Sequence, residues 1–148
     1  MDPRSESLLE HVHPDLVKVA RGTAQAPQPF IVVYGIRSLA AEAKAVATGH
    51  SQTMRSRHLP DAHYPGPLDP RGLALAIDVA ALINGQVSFA PGKEQSVFGL
   101  IAAQMKASAA RLKVPLQWGG DPVGAWTPGV VSHFRDWGHF QLPWLQYP

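Results

Sequence analysis

Between residues 51 and 72 the chain carries Pro60, Pro65, Gly66, Pro67, Pro70 and Gly72, so no helix or strand can run through that stretch. A loop of this length in a compact protein is usually functional. The fold must therefore be assembled from short elements on either side of it. A chain of 148 residues has room for one domain with a real core and not for two large ones. An apolar content of 45%, with 14 Pro, 13 Gly and only 16% charged residues, favours a compact protein with ordered loops over a disordered or highly helical one.

The local patterns supply those elements. Pro14, Asp15 and the stripe Leu16, Val17 and Ala20 predict a helix over residues 13–21. Phe30-Ile31-Val32-Val33-Tyr34, closed by Gly35, reads as a central strand, and Ser38 as the N-cap of a helix over 39–47. After the long loop, residues 73–82 form an apolar run with one charge in it, Asp78. Gly85 marks a turn, and Val87-Ser88-Phe89-Ala90 a hairpin partner. Residues 93–113 are the longest helical pattern, with Val97, Leu100, Ile101, Met105 and Leu112 expected on its buried face. Leu116-Gln117-Trp118 and residues 138–142 read as strands, separated by a second Pro/Gly-rich loop over 121–129. Trp118 and Trp144 are expected in the core. The order predicts an α+β fold: a small antiparallel sheet with helices packed on one side.

Composition limits the chemistry. With no cysteine, any bound metal must be held by imidazole and carboxylate. A net charge of +2 suits approach to an anionic polymer, but the Lys and Arg residues are scattered and follow no nucleic-acid-binding pattern. The N-terminus lacks the basic-then-apolar pattern of a signal peptide, and no stretch reaches the length of a membrane-spanning helix.

Asp78 is the most conspicuous residue on burial grounds, since a carboxylate inside an apolar strand is costly unless paired, hydrogen-bonded or metal-bound. An arginine partner or an edge position would account for it as well as a metal would. Of the seven histidines, His58 lies in the loop leading to that strand and His139 in the last strand. Two imidazoles and a carboxylate leave a zinc ion one open position, as hydrolytic catalysis requires. Spacing alone does not select these three from seven histidines and eleven acids. Asp136, three residues before His139, could move a proton beside such an ion, or form an ion pair with Arg135.

The blocks Ser56-Arg57-His58, Ala76-Ile77-Asp78 and Asp136-Trp137-Gly138-His139 resemble those of the zinc D,D-carboxypeptidase and L-alanyl-D-glutamate endopeptidase family, which includes many bacteriophage endolysins. The resemblance extends to His13-Pro14-Asp15-Leu16-Val17, Gly35-Ile36-Arg37-Ser38, Gly49-His50-Ser51 and Trp118-Gly119-Gly120-Asp121, in the family's order, from about residue 11 to 142. It implies a zinc ion held by His58, Asp78 and His139 in an open groove, with Asp136 as general base. It further implies that Arg37 binds substrate or stabilises the oxyanion, and that Ser56 supports a ligand from the second rank.

Departures from the family pattern concern the surroundings of the site. An insertion over residues 61–73 separates His58 from Asp78 and brings His63 into question as a competing ligand. Ala74 stands at a usual glycine, Gln141 at a usual glutamate, and Ala41-Glu42-Ala43 lacks a usual glutamine. A second insertion follows Gly120, and His133 is either a cleft residue or a plain loop residue.

The expected protein is thus one catalytic domain over residues 1–148 without a wall-binding domain. It would be a monomer that cuts the L-Ala–D-Glu bond of peptidoglycan stem peptides in host lysis. It would be made in the host cytoplasm and reach the wall once the membrane is permeabilised. A D-Ala–D-Ala carboxypeptidase or dipeptidase with the same zinc site is the alternative enzyme, and a non-catalytic zinc-containing binding module the alternative class.

Overall fold

Asp2 followed by Pro3 opens a helix that the polar composition of the first ten residues does not advertise. In α1 (Pro3–Leu9), Asp2 is the N-cap, its side chain accepting from the Ser5 N–H, and proline fills the first turn. The computed structural model describes residues 1–66, 71–89, 95–121 and 135–148. Within them α1 is followed by α2 (Pro14–Thr23), β1 (Phe30–Tyr34), α3 (Leu39–Ala47), β2 (Ala76–Ile83), β3 (Gln86–Ser88), α4 (Gln95–Leu112), β4 (Gln117–Trp118) and β5 (His139–Gln141). Apart from α1, this is the order expected from the sequence.

The sheet is antiparallel in the order β1-β2-β5-β4, with β3 paired to β2. Register decides which side chains share a face, because strand residues alternate. Val32 lies opposite Val79, Phe30 opposite Ala81, Ile77 opposite Phe140, and Phe140 opposite Trp118. These residues belong to one buried cluster with Leu9 of α1, Leu16 and Val19 of α2, and Phe98, Ile101 and Met105 of α4. The alternate residues Asp78, His139, Gln141 and Gln117 fall on the other face, again as cross-strand neighbours.

The buried stripe of α4 differs from the one expected. It runs Phe98, Ile101, Ala102, Met105, Ala109, while Leu100 is 55% and Leu112 40% exposed. At about 100° per residue, Ile101, Ala102, Met105 and Ala109 fall within about 60° of Phe98 around the helix, while Leu100 points to the opposite side. Trp118 is in the core as expected. Trp144 is only half-buried, because its ring serves instead as a platform for the Arg57 guanidinium, 4.0 Å above it.

Residues 51–66 and 71–72 form turns without helix or strand, as the prolines require. Their anchor is Arg57, 2% exposed, which donates to the carbonyls of Leu142, Pro143 and Tyr147 and lies 3.5 Å from Asp61 Oδ2. The inserted segment is closed at its base by Asp61 and Leu73, with the Asp61 N–H donating to the Leu73 carbonyl at 3.0 Å.

Candidate metal centre and active-site groove

Three separate stretches of chain deliver the site. Asp78 and His139 are cross-strand partners in β2 and β5. His58 arrives from the long loop and is held from several directions. Its N–H meets Ser56 Oγ at 3.3 Å, its carbonyl accepts from the Arg37 N–H at 2.7 Å, and the neighbouring Arg57 carbonyl accepts from the Leu75 N–H at 2.7 Å. The β1 strand bulges between Val32 and Tyr34, which turns the chain toward Gly35 beside the site. Gly35 must be glycine because a Cβ there would lie 2.3 Å from the Leu8 carbonyl oxygen.

His58 Nε2 lies 3.1 Å from Asp78 Oδ1 and 3.2 Å from His139 Nδ1, and His139 Nδ1 lies 3.0 Å from Asp78 Oδ1. The far nitrogen of each ring is already committed. His58 Nδ1–H donates to the Gly35 carbonyl at 2.7 Å, and His139 Nε2–H to Gln141 Oε1 at 3.0 Å. The Gln141 amide is oriented in turn by donating to Gln117 Oε1 at 2.9 Å. In the neutral rings the inward nitrogens therefore carry lone pairs, and three acceptors converge on one point. A tetrahedral zinc with bonds of about 2.0–2.1 Å sets its ligand atoms roughly 3.3 Å apart, so the donor set fits zinc in both chemistry and spacing. It is the one group of three or more such ligands among the described residues.

The electrostatics agree. Burial alone would push Asp78 up, but the His58 charge and hydrogen bonds from His139 and His58 hold it well below the usual carboxylate range. Burial alone would push His139 down, but the hydrogen bond and charge of Asp78 raise it. A lowered carboxylate beside a raised imidazole is opposite charges holding each other, so Asp78 stays ionised within the cluster. Asp136 is pushed up, first by burial and then by the Asp78 charge.

The backbone keeps Asp136 close to the cluster. Its N–H donates to the Gly119 carbonyl at 3.0 Å, its carbonyl accepts from the His139 N–H at 3.1 Å, and the Gly119 N–H returns to the His139 carbonyl at 2.9 Å. Arg135 is not its ion-pair partner, since that guanidinium turns to the Asp121 carbonyl.

Asp78 and Asp136 both face an open groove of about 740 Å³, which Arg37 also lines. Residues of α3 form one wall, and exposed Tyr34 and Phe89 reach its rim. Arg37 bonds Glu42 Oε2 through Nη1 at 2.8 Å and meets Asp78 Oδ2 through Nη2 at 3.5 Å, so the arginine considered as an explanation for Asp78 is present together with the histidines. Ser56 touches the backbone of His58 and not its ring. His63 does not compete as a ligand: its side chain is 78% exposed and bonds Asp61 Oδ1 at 2.9 Å. His133 lies outside the described residues.

Reasoning from sequence named Arg57, Glu42 and Gln141 only as parts of the family blocks or departures from them, and assigned none of them, nor Gln117, a role at the site. Gln141 could have been found from its i, i+2 spacing to His139, which puts both on one face of a strand.

The family model for phage L-alanyl-D-glutamate peptidase matches residues 1–142. The L-alanyl-D-glutamate peptidase of Escherichia phage T5 is 28% identical over 144 residues, covering 93% of each chain. The crystal structure of the Serratia marcescens L-Ala D-Glu endopeptidase ChiX superposes with a TM-score of 0.76 at 32% identity, covering 100% of this chain and 92% of that one. The protein belongs to the phage L-alanyl-D-glutamate peptidase family.

Proposed function

We propose that the protein is a zinc-dependent endopeptidase that cuts the L-Ala–D-Glu bond of peptidoglycan stem peptides in phage-induced lysis of the host. The observation that carries this reading is the convergence of His58 Nε2, Asp78 Oδ1 and His139 Nδ1 at 3.0–3.2 Å, each ring's other nitrogen being tied elsewhere. Zinc held there supplies Lewis-acid polarisation of the scissile carbonyl and acidifies water.

The chain's own residues do the rest. Asp136, kept protonatable by burial and by Asp78, takes a proton from the attacking water and returns it to the leaving amine. Arg37, with its guanidinium at the groove wall, places positive charge where the carbonyl oxygen becomes an anion. Ser56 holds the His58 backbone in place. Exposed rim residues suit a polymer strand that enters and leaves the groove better than a closed pocket for a dipeptide.

Residues 1–148 act as one catalytic domain and as a monomer, made in the host cytoplasm and active in the wall after the membrane is permeabilised. No helix among the described residues is long and apolar enough to cross a membrane.

The test is digestion of purified peptidoglycan by wild type, Asp136→Ala and zinc-stripped protein, with products identified by mass spectrometry. New D-Glu N-termini, lost in both altered samples, are expected. Release of D-Ala alone would select the carboxypeptidase instead. A folded, zinc-loaded wild type that cuts nothing would make the chain a binding module.

A further inference from the structure

Glu42 is the only buried residue of α3 and the one fully buried acidic side chain among the described residues, at 0% exposure. Burying a carboxylate is costly unless it is paired. Its partner is Arg37, 2.8 Å from Oε2, and the other terminal nitrogen of Arg37 reaches Asp78 Oδ2 at 3.5 Å. Asp78 Oδ1 is the oxygen that meets both histidines. A continuous line therefore runs from Glu42 through Arg37 to the carboxylate of the metal centre.

The second oxygen, Glu42 Oε1, has no hydrogen-bond partner among the described residues. The amide oxygen of a glutamine would accept the single Arg37 bond equally well, so what the carboxylate adds is charge. Alone, Arg37 would set a positive charge beside Asp78 and oppose a divalent cation. Glu42 offsets that charge at the metal, while the guanidinium still occupies Oδ2 and leaves Oδ1 to face the histidines.

We infer that Glu42 is a positioning residue of the metal centre, clamping Arg37 on Asp78 Oδ2 and offsetting its charge so that Oδ1 stays turned to the histidines and open to the metal. The inference rests on the zinc reading of the site. It is tested by titrating zinc into metal-free protein against a chromophoric chelator, for wild type, Glu42→Gln, Arg37→Gln and the double variant, with melting of each metal-free form measured alongside. Glu42→Gln should melt like wild type without metal but bind zinc at least tenfold more weakly, the loss typical of a disturbed outer partner. The double variant, with no unpaired guanidinium, should regain most of that affinity.

A purely structural Glu42 would lower metal-free melting and gain nothing from removal of Arg37. Wild-type zinc affinity in Glu42→Gln, or a double variant as weak as Glu42→Gln, overturns the inference. Should Glu42→Gln not fold, the double variant decides: affinity within about threefold of wild type supports it and a tenfold loss overturns it. A wild type that takes up no zinc is a separate result and removes the metal centre itself.

Discussion

His58 Nε2 and His139 Nδ1 face each other at 3.2 Å, each turned inward by a hydrogen bond on its far side. Two lone pairs and the Asp78 oxygen cannot share that space comfortably without a cation or a proton between them.

Zinc should therefore set both stability and its pH dependence. At free zinc about 100 times Kd the site adds about 2.7 kcal/mol, or roughly 5–10 °C in melting temperature. In the metal-free protein His139 is raised, so its contribution is present below about pH 6.5 and is lost as pH rises through the raised value. Asp78 is depressed, so its contribution is present above about pH 3.9 and is lost as pH falls through the lowered value. Metal-free protein should be most stable between about pH 4 and 6.5, and zinc should move the optimum upward by displacing the proton. Calorimetry across pH, with chelator and with zinc, checks this; superimposable profiles would refute it.

Gln141 holds the His139 ring by accepting from Nε2–H. Gln141→Ala should weaken zinc binding by about 10–100-fold, while Gln141→Glu, which still accepts that proton, should bind zinc at least as tightly as wild type. Competition with a chelator measures both. Equal affinity in Gln141→Ala would mean that the ring is oriented without Gln141.

Gly119 leaves no room for a side chain, since a Cβ would sit 2.4 Å from the Asp136 carbonyl oxygen. Gly119→Ala should cost about 1–3 kcal/mol through overpacking. It should also lower kcat at full zinc occupancy, because the closest clash is with the segment that carries Asp136, and weaken zinc binding to a smaller extent, because the same Cβ would lie 3.1 Å from the His139 Cβ. Comparing turnover at full zinc occupancy with wild type tests this, and unchanged kcat would count against Asp136 as the base.

Tyr147 latches the C-terminal segment by donating to Asp15 Oδ2 at 2.9 Å. Burial and the Asp15 bond push the phenol up to about 12. Burial would raise Asp15, but the bonds from Tyr147 and Lys18 bring it below its usual value. Wild type should exceed Tyr147→Phe in stability at neutral pH, with the gap closing as pH falls below about 4 and again as it rises above about 10. Denaturation at the three pH values decides, and a pH-independent gap would place the contribution in packing alone.

Local pattern was enough for most elements. Ser38 caps α3 through the Ala41 N–H, Pro14 opens α2, and the apolar run around Asp78 is a strand. It failed where stability comes from distant contacts. The short α1 is polar by composition but is tied to the sheet by Ser5 Oγ, which accepts from the Val32 N–H at 2.9 Å.

The sequence by itself determined the ingredients of this protein: the residue types able to hold zinc, the proline-rich stretch that must be a loop, and the ordered blocks that mark the family. Only the tertiary structure decided their use. Residue 58 meets residue 139 because Arg57 docks the loop on the C-terminal segment and β2 pairs with β5 in a register that brings Asp78 beside His139. Glu42 and Gln141 matter for the same reason: their partners lie across the fold or across a strand, where side-chain alternation and burial give a residue its role.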